Sequence, residues 1–406
     1  MERLIVFALV YLLPTQLAYH FWLQSSYVYG IRVDYLSPAI YLTDILLIFL
    51  LPYLIKRLEF KKYKKNVYLF FLAVLFVFSN IIFAQIPTIA LFKWLVVFKL
   101  LAFGLYFYSC DLVKLKKTII SALSLSLITL FLIGLAQFIL QRTIGGPFYL
   151  LGERNFTSLT PGISLMNVFG KSMMRAYSIF PHPNSFAGFV VVSFLIILSF
   201  YSEQIKTSFR KPPLLFIVVV LSLLLTLSLN AILGVILVIT LFLLSKNYAK
   251  VVKKIKVFIP ILLISSSLFL GVVSSILPKD FRMKETYEQR VLLAHKALEI
   301  FSNKPIFGVG LNNFFFAAKN IQPPHNLYLL VLSECGIVGI LILYFLLTKL
   351  FNRPLNKFLF LAIVFVSLTG VFDHYWFTLQ QNQLILSLLL GLLTRRDFSK
   401  IVPKRI

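Results

Sequence analysis

Two proline-flanked histidine motifs are the residues of this sequence best suited to chemistry. Residues 180–184 read Phe-Pro-His-Pro-Asn, and residues 324–328 read Pro-His-Asn-Leu-Tyr. Each motif lies where a polar loop re-enters a long apolar segment. An imidazole has an ordinary pKa near 6.5 and therefore exchanges protons at neutral pH. His325 is thus a candidate general base that accepts a proton from a hydroxyl group.

The two motifs also have structural interpretations. Proline on both sides of His182 favours a rigid re-entry turn over a catalytic role. Asn184 and Asn326 are more often helix N-caps than sugar ligands. His325 could be a histidine that is hydrogen-bonded at a membrane interface, but the N-terminus of the next helix disfavours its charged form and so favours a neutral base. We therefore assign catalysis to His325 and interpret the other three residues as substrate-binding or structural.

The surrounding chain has the composition of an integral membrane protein. Of its 406 residues, 59% are hydrophobic and only 13% are charged, which is far more apolar than a soluble protein. Apolar runs near the length that crosses a bilayer as a helix recur throughout. We predict a single all-α membrane domain over residues 1–406, a polytopic bundle of about twelve transmembrane helices. The predicted spans are 4–23, 37–55, 67–84, 88–108, 118–140, 186–201, 213–229, 231–244, 257–277, 326–348, 358–372 and 379–394.

The charge pattern predicts the orientation of these spans. Lys and Arg concentrate in alternate short loops, which places both termini in the cytoplasm of a multi-pass protein of the plasma or inner membrane. The formal net charge of +26 is dispersed over those loops, so it indicates contact with lipid headgroups and excludes nucleic-acid binding. Cys110 and Cys335 lack ligand spacing and predict no metal site.

Two long outward loops, residues 141–185 and 278–325, stand out among short connections, and function concentrates in such loops. The first is rich in Gly, Ser and Thr and predicts an irregular, partly ordered cap. The second predicts an amphipathic helix over residues 284–302. The stripe expected along one face of this helix consists of Val291, Ala294, His295 and Leu298.

Charged residues inside predicted spans are costly, at about 2.5–3.5 kcal/mol each near mid-depth, and are therefore paired or functional. Asp44, Lys93, Lys99 and Glu334 are in this position. Counted along their helices, Asp44, Lys93 and Glu334 lie at comparable depth. A buried ion pair or triad is one interpretation, and a phosphate bound by Lys93 is the other.

A set of further motifs resembles the O-antigen ligase and O-antigen polymerase superfamily over residues 170–340. The motifs are Arg175 ahead of the His182 motif, Thr226-Leu227-Ser228, Arg290, the segment 304–310, His325-Asn326-Leu327-Tyr328 and Glu334-Cys335-Gly336. The resemblance implies a glycan transferase that works outside the membrane on a sugar chain carried by a polyprenyl pyrophosphate. It also implies independence of metals and other cofactors, with arginines binding the pyrophosphate and the histidine near the acceptor.

The chemistry of such a transfer agrees with these residues. A pyrophosphate leaving group needs fixed cations where its charge grows, and arginine binds two phosphate oxygens at once. We therefore assign Arg175, Arg290 and Lys93 to the donor pyrophosphate, and Glu334 to substrate binding or structure. The family commonly has Thr-x-Ser-Arg, whereas Leu229 follows Ser228 here. Three alternatives remain open: the missing charge is replaced elsewhere, with Lys93 or Lys171 available, or the donor differs, or the protein is inactive.

The sequence thus predicts a membrane glycosyltransferase that moves a glycan from a polyprenyl-pyrophosphate carrier to a hydroxyl group of a lipid, glycan or protein acceptor. Two alternatives remain open. Charged residues within spans are also compatible with a glycolipid transporter or flippase. The departure at Leu229 is compatible with a catalytically inactive scaffold.

Overall fold

A computed structural model describes residues 1–58, 67–201, 213–244, 284–351 and 356–395. These residues are mostly helical, which confirms the predicted helical bundle. The helices are α1 (Glu2–Tyr11), α2 (Leu42–Arg57), α3 (Val67–Ile82), α4 (Pro87–Ser109), α5 (Leu112–Leu140), α6 (Pro183–Phe200), α7 (Pro213–Thr226), α8 (Leu229–Leu244), α9 (Lys284–Asn303), α10 (Phe314–Ala317), α11 (Leu327–Phe351), α12 (Lys357–Phe372), α13 (Tyr375–Thr378) and α14 (Gln380–Leu393).

The described residues also form three short two-stranded antiparallel sheets. The strands are β1 (Ala18–His20), β2 (Tyr27–Val28), β3 (Ile31–Arg32), β4 (Ala39–Tyr41), β5 (Leu165–Val168) and β6 (Lys171–Met174). Strand β1 pairs with β4, β2 with β3, and β5 with β6. The first four strands fold the connection between α1 and α2 back on itself, and the last two form a hairpin in the loop before α6.

Helix α6 is the centre of the core. Nearly all of its residues are buried, and it packs against α5, α7, α8, α12 and α14. A helix that is apolar on every side, as this one is, must be surrounded by other helices. Small residues bring neighbouring helices close in the same core: a Cβ atom at Gly104 of α4 would lie 3.0 Å from the Ser387 hydroxyl of α14. The positions of the loops at the ends of α6 are therefore fixed by a packed core.

Four described helices are long and apolar enough to cross a bilayer by length and composition: α4, α5, α6 and the segment Leu327–Leu350 of α11. Several shorter apolar helices accompany them, among them Leu214–Thr226 and Lys357–Phe372. Large apolar side chains such as Phe70 and Leu132 are exposed on the outside of the bundle. These features are those of an integral membrane protein, while twelve spans and a cytoplasmic N-terminus stay predictions.

The predicted first span, 4–23, is wrong as a single helix. Helix α1 ends at Tyr11, and residues Ala18–His20 form a strand instead. Pro14 explains the early end, because a proline disfavours helical backbone at the residue before it. The ten-residue helix is only about 15 Å long, half of a hydrocarbon core. The predicted span 257–277 lies outside the described residues.

The predicted helix of the second outward loop is present as α9, but its predicted stripe is wrong. His295 and Leu298 are exposed. The residues that α9 buries are Leu293, Ala294, Ala297 and Ile300, which pack against Leu329 and Leu330 of α11. The buried stripe is therefore rotated around the helix relative to the prediction, because a single helix with little apolar contrast does not define its own inner face.

Candidate active site

Three loops meet at one end of the bundle and bring histidines and a carboxylate together. His182 precedes α6, His325 precedes α11, and Asp373 and His374 follow α12. The ring centroids of His325 and His374 are 5.3 Å apart. One side-chain nitrogen or oxygen atom from each of His325, Asp373 and His374 lies within 4.8 Å of the others. We call His182, His325, Asp373 and His374 the histidine cluster.

Asp373 is fixed by hydrogen bonds to both of its carboxylate oxygens. Its Oδ1 accepts from the backbone N–H of His374 at 2.8 Å, and its Oδ2 accepts from Nδ2 of Asn184 at 3.0 Å. The segment that follows packs closely on α6, since a Cβ atom at Gly188 would lie 2.6 Å from the hydroxyl oxygen of Tyr375. The carboxylate is therefore buried, oriented and tied to the central helix.

The sequence prediction missed Asp373 and His374, although a signal for them exists. They fall between the predicted spans 358–372 and 379–394. With the predicted orientation, this short connection emerges on the same side of the membrane as His182 and His325. Two titratable residues in such a connection could have been added to the candidate site on topology alone.

The cluster combines a carboxylate anion with neutral imidazoles. Burial by itself raises the pKa of Asp373, but His374, His325, His182 and the hydrogen bond from Asn184 outweigh burial and lower this pKa to about 2. Burial lowers the pKa of His374 to about 3, against the opposing charge of Asp373. Burial also lowers the pKa of His325, while Asp373 raises it and Arg290 lowers it. At neutral pH Asp373 is therefore ionised and both histidines are uncharged.

His325 differs from the other two histidines of the cluster in the hydrogen bonding of Nδ1. Its Nδ1 atom is buried and has no hydrogen-bond partner. By contrast, Nδ1 of His374 lies 2.8 Å from the hydroxyl oxygen of Thr378, and Nδ1 of His182 accepts from the backbone N–H of Asn184 at 3.1 Å. His182 is the N-cap of α6. The arrangement gives a neutral base beside a carboxylate that stabilises its protonated form.

Arg290 supplies a cation to the same region that forms no ion pair with another described residue. It lies on α9, and its buried Nε atom has no hydrogen-bond partner. Its charge acts on His182, His325 and His374, so it lies near all three. A buried donor without an acceptor is costly and is typical of a position that a ligand completes.

Arg175 is engaged in structural contacts. Its Nε donates to the Thr226 carbonyl at 2.6 Å, Nη1 donates to the Ser164 hydroxyl at 2.8 Å, and Nη2 donates to Oδ1 of Asn184 at 2.7 Å. Asn184 in turn donates to Asp373. Arg175 thus holds the Thr-Leu-Ser turn and, through Asn184, the carboxylate of the histidine cluster.

The missing arginine of the Thr-x-Ser-Arg pattern corresponds to the first residue of α8. Leu229 occupies this position and is 55% exposed. The turn before it is intact, because Leu227 has a φ of 47° and the Ser228 hydroxyl accepts from the backbone N–H of Ala231 at 3.4 Å. The charge is therefore missing while the local backbone that would present it is kept.

The two predicted asparagine caps differ. Oδ1 of Asn326 accepts from the backbone N–H groups of Tyr328 and Leu329, both at 3.0 Å, which is N-cap geometry for α11. Asn184 does not cap α6, because His182 takes that position. The side chain of Asn184 instead joins an arginine to a carboxylate.

The expected triad of Asp44, Lys93 and Glu334 does not form. Asp44 pairs instead with Lys99, with 2.9 Å between Oδ1 and Nζ. Glu334 is buried, and its Oε1 accepts from the backbone N–H of Phe314 at 3.3 Å. Lys93 makes no ion pair within the described part of the chain. The predicted depth of these residues along their helices agrees with their proximity in the structure. The sequence does not define which face of its helix each residue occupies.

A cavity of about 860 Å³ adjoins the histidine cluster. His182, Tyr35 and Thr378 line it where it meets the cluster, and the Tyr35 ring lies edge-on to His374 with 6.1 Å between centroids. Lys93 also lines it, whereas Arg175 and Arg290 do not. The structure therefore brings Arg290 and His325 together and assigns Lys93 to a neighbouring space.

His325, Asp373 and His374 are also a set of residues that could ligate a metal ion. The charge of Arg290 opposes protonation of both histidines. A divalent cation at this position would meet the same repulsion. Asp373 acts on both histidines more strongly than Arg290 does and attracts a cation, so the same three residues could hold a divalent cation or transfer a proton.

Comparison with known proteins agrees with the motifs. Residues 214–344 match the family model for O-antigen ligase. This segment contains the Thr-Leu-Ser turn, Arg290 and His325, whereas Arg175, His182 and Asp373 lie outside it. No curated protein matches the sequence. The predicted resemblance is thus confirmed, and over residues 214–344 the chain is similar to the O-antigen ligase and O-antigen polymerase superfamily.

Proposed function

We propose that the protein is a membrane glycosyltransferase that moves a glycan from a polyprenyl-pyrophosphate carrier to an acceptor hydroxyl group. The similarity to O-antigen ligases supports glycan transfer in general. Two buried atoms without a described hydrogen-bond partner, Nδ1 of His325 and Nε of Arg290, carry the proposal, together with the ionised Asp373 within 4.8 Å of a His325 nitrogen. Among the described residues, the first is a base without a hydrogen-bond donor and the second belongs to a cation without an ion-pair partner.

In the proposed reaction, His325 removes the proton from the acceptor hydroxyl group as its oxygen attacks the anomeric carbon of the donor. The bond between that carbon and the pyrophosphate oxygen breaks, and the electron pair leaves with the pyrophosphate. Arg290 stabilises the charge that grows on the leaving group. Asp373 stabilises the imidazolium ion that forms on His325, as the carboxylate does in a catalytic triad.

The remaining predicted residues support these groups. Arg175 orients Asp373 through Asn184, with two N–H groups of its guanidinium left for the donor. His182 and Asn326 fix the starts of α6 and α11 next to the base. Glu334 holds the loop that leads to the His325 motif. We therefore assign donor binding mainly to Arg290 and positioning to the others.

The partners of this activity are a bilayer, a polyprenyl-pyrophosphate-linked glycan donor and a lipid, glycan or protein acceptor. The histidine cluster lies at one end of the bundle, where the headgroup of a lipid carrier and a water-soluble sugar chain meet. With the predicted orientation, this end faces outward from the plasma or inner membrane. The reaction then belongs to the assembly of surface polysaccharides or glycoconjugates.

The test is glycan transfer by purified protein in proteoliposomes that contain a defined polyprenyl-linked glycan and candidate acceptors. His325→Ala is expected to abolish formation of the new glycosidic bond while the protein remains folded and inserted. His295→Ala, which changes an exposed histidine of α9, is the matched control and is expected to keep full activity. Full activity of His325→Ala would contradict the catalytic assignment. Substrate movement without a new glycosidic bond would instead identify a transporter.

A further inference from the structure

The cavity beside the histidine cluster contains a lysine, Lys93, that forms no salt bridge or hydrogen bond with another described residue, although the charge of Glu334 acts on it. The cavity has a volume of about 860 Å³, which lies in the range of small-molecule sites, roughly 300–1,000 Å³. Its charged lining residues are Arg32, Lys93, Lys99, Arg154, Asp34 and Asp44. Asp34 contacts Arg32 at 3.9 Å and Arg154 at 3.3 Å, and Asp44 pairs with Lys99. Among the described lining residues, Lys93 is the cation that neither forms an ion pair nor donates a hydrogen bond.

The same cavity presents an unpaired amide. Gln381 is buried and lines the cavity, and its side chain forms no hydrogen bond with another described residue. Its neighbour Gln380 is fully engaged, accepting from Lys99 and donating to Asp44. An amide both donates and accepts hydrogen bonds, which matches the hydroxyl groups of a sugar. The rings of Tyr41 and Phe92 add apolar surface of the kind that packs against the C–H groups of a sugar ring.

The position of Lys93 separates it from the reacting centre. Lys93 interacts electrostatically with Glu334 and Lys99, whereas the histidine cluster interacts with Arg175 and Arg290. In the proposed reaction the base and the leaving group flank a single carbon atom, so the pyrophosphate must lie next to His325. An anion that binds Lys93 in the cavity is therefore a different group of the substrate.

We propose that the cavity binds an acidic saccharide, a sugar unit that carries a carboxylate or phosphate substituent. Lys93 is its counter-ion, and Gln381 is a hydrogen-bond partner of its hydroxyl groups. The cavity meets the histidine cluster at His182, Tyr35 and Thr378. The saccharide is the part of the glycan substrate that follows the reacting sugar, an identification that rests on the proposed function. Lys93 would then select for acidic glycans.

The experiment measures binding and requires no turnover. Protein in lipid nanodiscs is titrated calorimetrically with a glucuronate-containing tetrasaccharide and with the carboxyl-reduced form of the same tetrasaccharide. The unmodified protein is expected to bind the acidic form about 10-fold more tightly or more, the effect of one hydrogen bond to a charged group. Lys93→Gln is expected to remove this preference. Lys319→Gln, which changes an exposed lysine outside the cavity, is expected to keep it.

Equal binding of both tetrasaccharides by the unmodified protein would overturn the proposal, as would a preference that survives in Lys93→Gln. Inorganic pyrophosphate is a second probe, and Lys93-dependent binding of pyrophosphate without a saccharide preference would also overturn it. If Lys93→Gln does not fold, Gln381→Ala is the alternative variant, and it is expected to weaken both tetrasaccharides equally. His325→Ala is expected to bind like the unmodified protein, so failure of the transfer assay and failure of this assay are distinguishable.

Discussion

Replacing Asp373 by asparagine tests whether the histidine cluster acts as a proton-transfer group. The substitution removes a charge at nearly constant size. A side-chain oxygen of Asp373 and a ring nitrogen of His325 lie within 4.8 Å of each other. At this distance, with an effective dielectric constant of about 20, the attraction between the carboxylate and a fully formed imidazolium is about 3.5 kcal/mol. Complete proton transfer in the transition state would then slow the reaction about 300-fold, and half transfer about 20-fold.

The pH dependence of the Asp373→Asn variant is a second, independent test of the role of Asp373. Asp373 raises the pKa of His325, so its removal lowers that pKa further. Activity requires neutral His325 and is lost as the pH falls through its pKa. The acid limb of the rate profile is therefore expected to move to lower pH while the maximal rate falls. Single-turnover transfer in proteoliposomes between pH 4 and 8, roughly the range around an ordinary histidine pKa, measures both effects.

Structural damage is the competing explanation for a slow Asp373→Asn variant. An asparagine keeps one of the two oxygen acceptors, and the lost hydrogen bond costs about 1–3 kcal/mol of folding stability. Thermal unfolding in detergent measures this loss separately. Asp111→Asn makes the same chemical change at the N-cap of α5, where asparagine caps equally well, and is expected to change neither quantity. A rate within threefold of the unmodified protein, or an acid limb that does not move, would refute the proposed role of Asp373.

Two further predictions distinguish the role of Arg290 from that of Arg175 and test whether the reaction needs a metal ion. Arg290→Gln is expected to reduce the transfer rate about 100-fold with little change in unfolding temperature, as for the loss of one group that stabilises a leaving group. Arg175→Gln is expected to lower the unfolding temperature because it breaks three hydrogen bonds. Transfer rates and melting curves of both variants distinguish these outcomes, and the reverse pattern would exchange the two roles. Chelation with EDTA is expected to leave the transfer rate unchanged, and an activity that EDTA removes and a divalent metal restores would show that His325, Asp373 and His374 hold an ion.

The sequence alone was sufficient for the helical, membrane-protein character of the chain, and it proposed part of the candidate site. Apolar runs identified most of the described helices, since a segment that must satisfy its backbone inside a bilayer has few other structures available. His325 and Arg290 were predicted because motif position and residue chemistry both pointed to them, and their roles stay predictions. The segment after α1 was misjudged because the aromatic, apolar residues of a folded-back hairpin have the same hydropathy as a span.

The contacts of individual side chains could not be predicted from the sequence. Asp373 contacts Asn184 across 189 positions of the chain, and the pairing of Asp44 with Lys99 rather than Lys93 depends on the rotation of α4 about its axis. Hydropathy fixes the length of a helix but only weakly its rotation, because lipid-facing and core-facing residues are both apolar. The same ambiguity rotated the predicted stripe of α9.

The segment that contains the Gly-x-Gly motif at 308–310 packs against a break in α11. At Gly336 the backbone leaves helical geometry with a φ of 64°, and the segment that follows Lys304 docks into the break: the N–H of Ile337 donates to the Pro305 carbonyl at 2.8 Å, and the N–H of Gly310 donates to the Glu334 carbonyl at 3.0 Å. A side chain at Gly336 would collide with the Ile306 carbonyl, so the break requires glycine.

This docked segment has a consequence for the order in which the protein is made. The side chain of Asn80 in α3 donates to the carbonyls of Phe307 and Glu334, and its Oδ1 accepts from the N–H of Leu311. Asn80 is buried and is synthesised more than two hundred residues before these partners. Its Oδ1 can accept from Nε1 of Trp94 at 2.9 Å once α4 is made, but its N–H groups reach their two acceptors only when the broken helix arrives. The loop that carries His325 is consequently among the last parts of the chain to acquire its final structure, and an incomplete chain has no reactive centre.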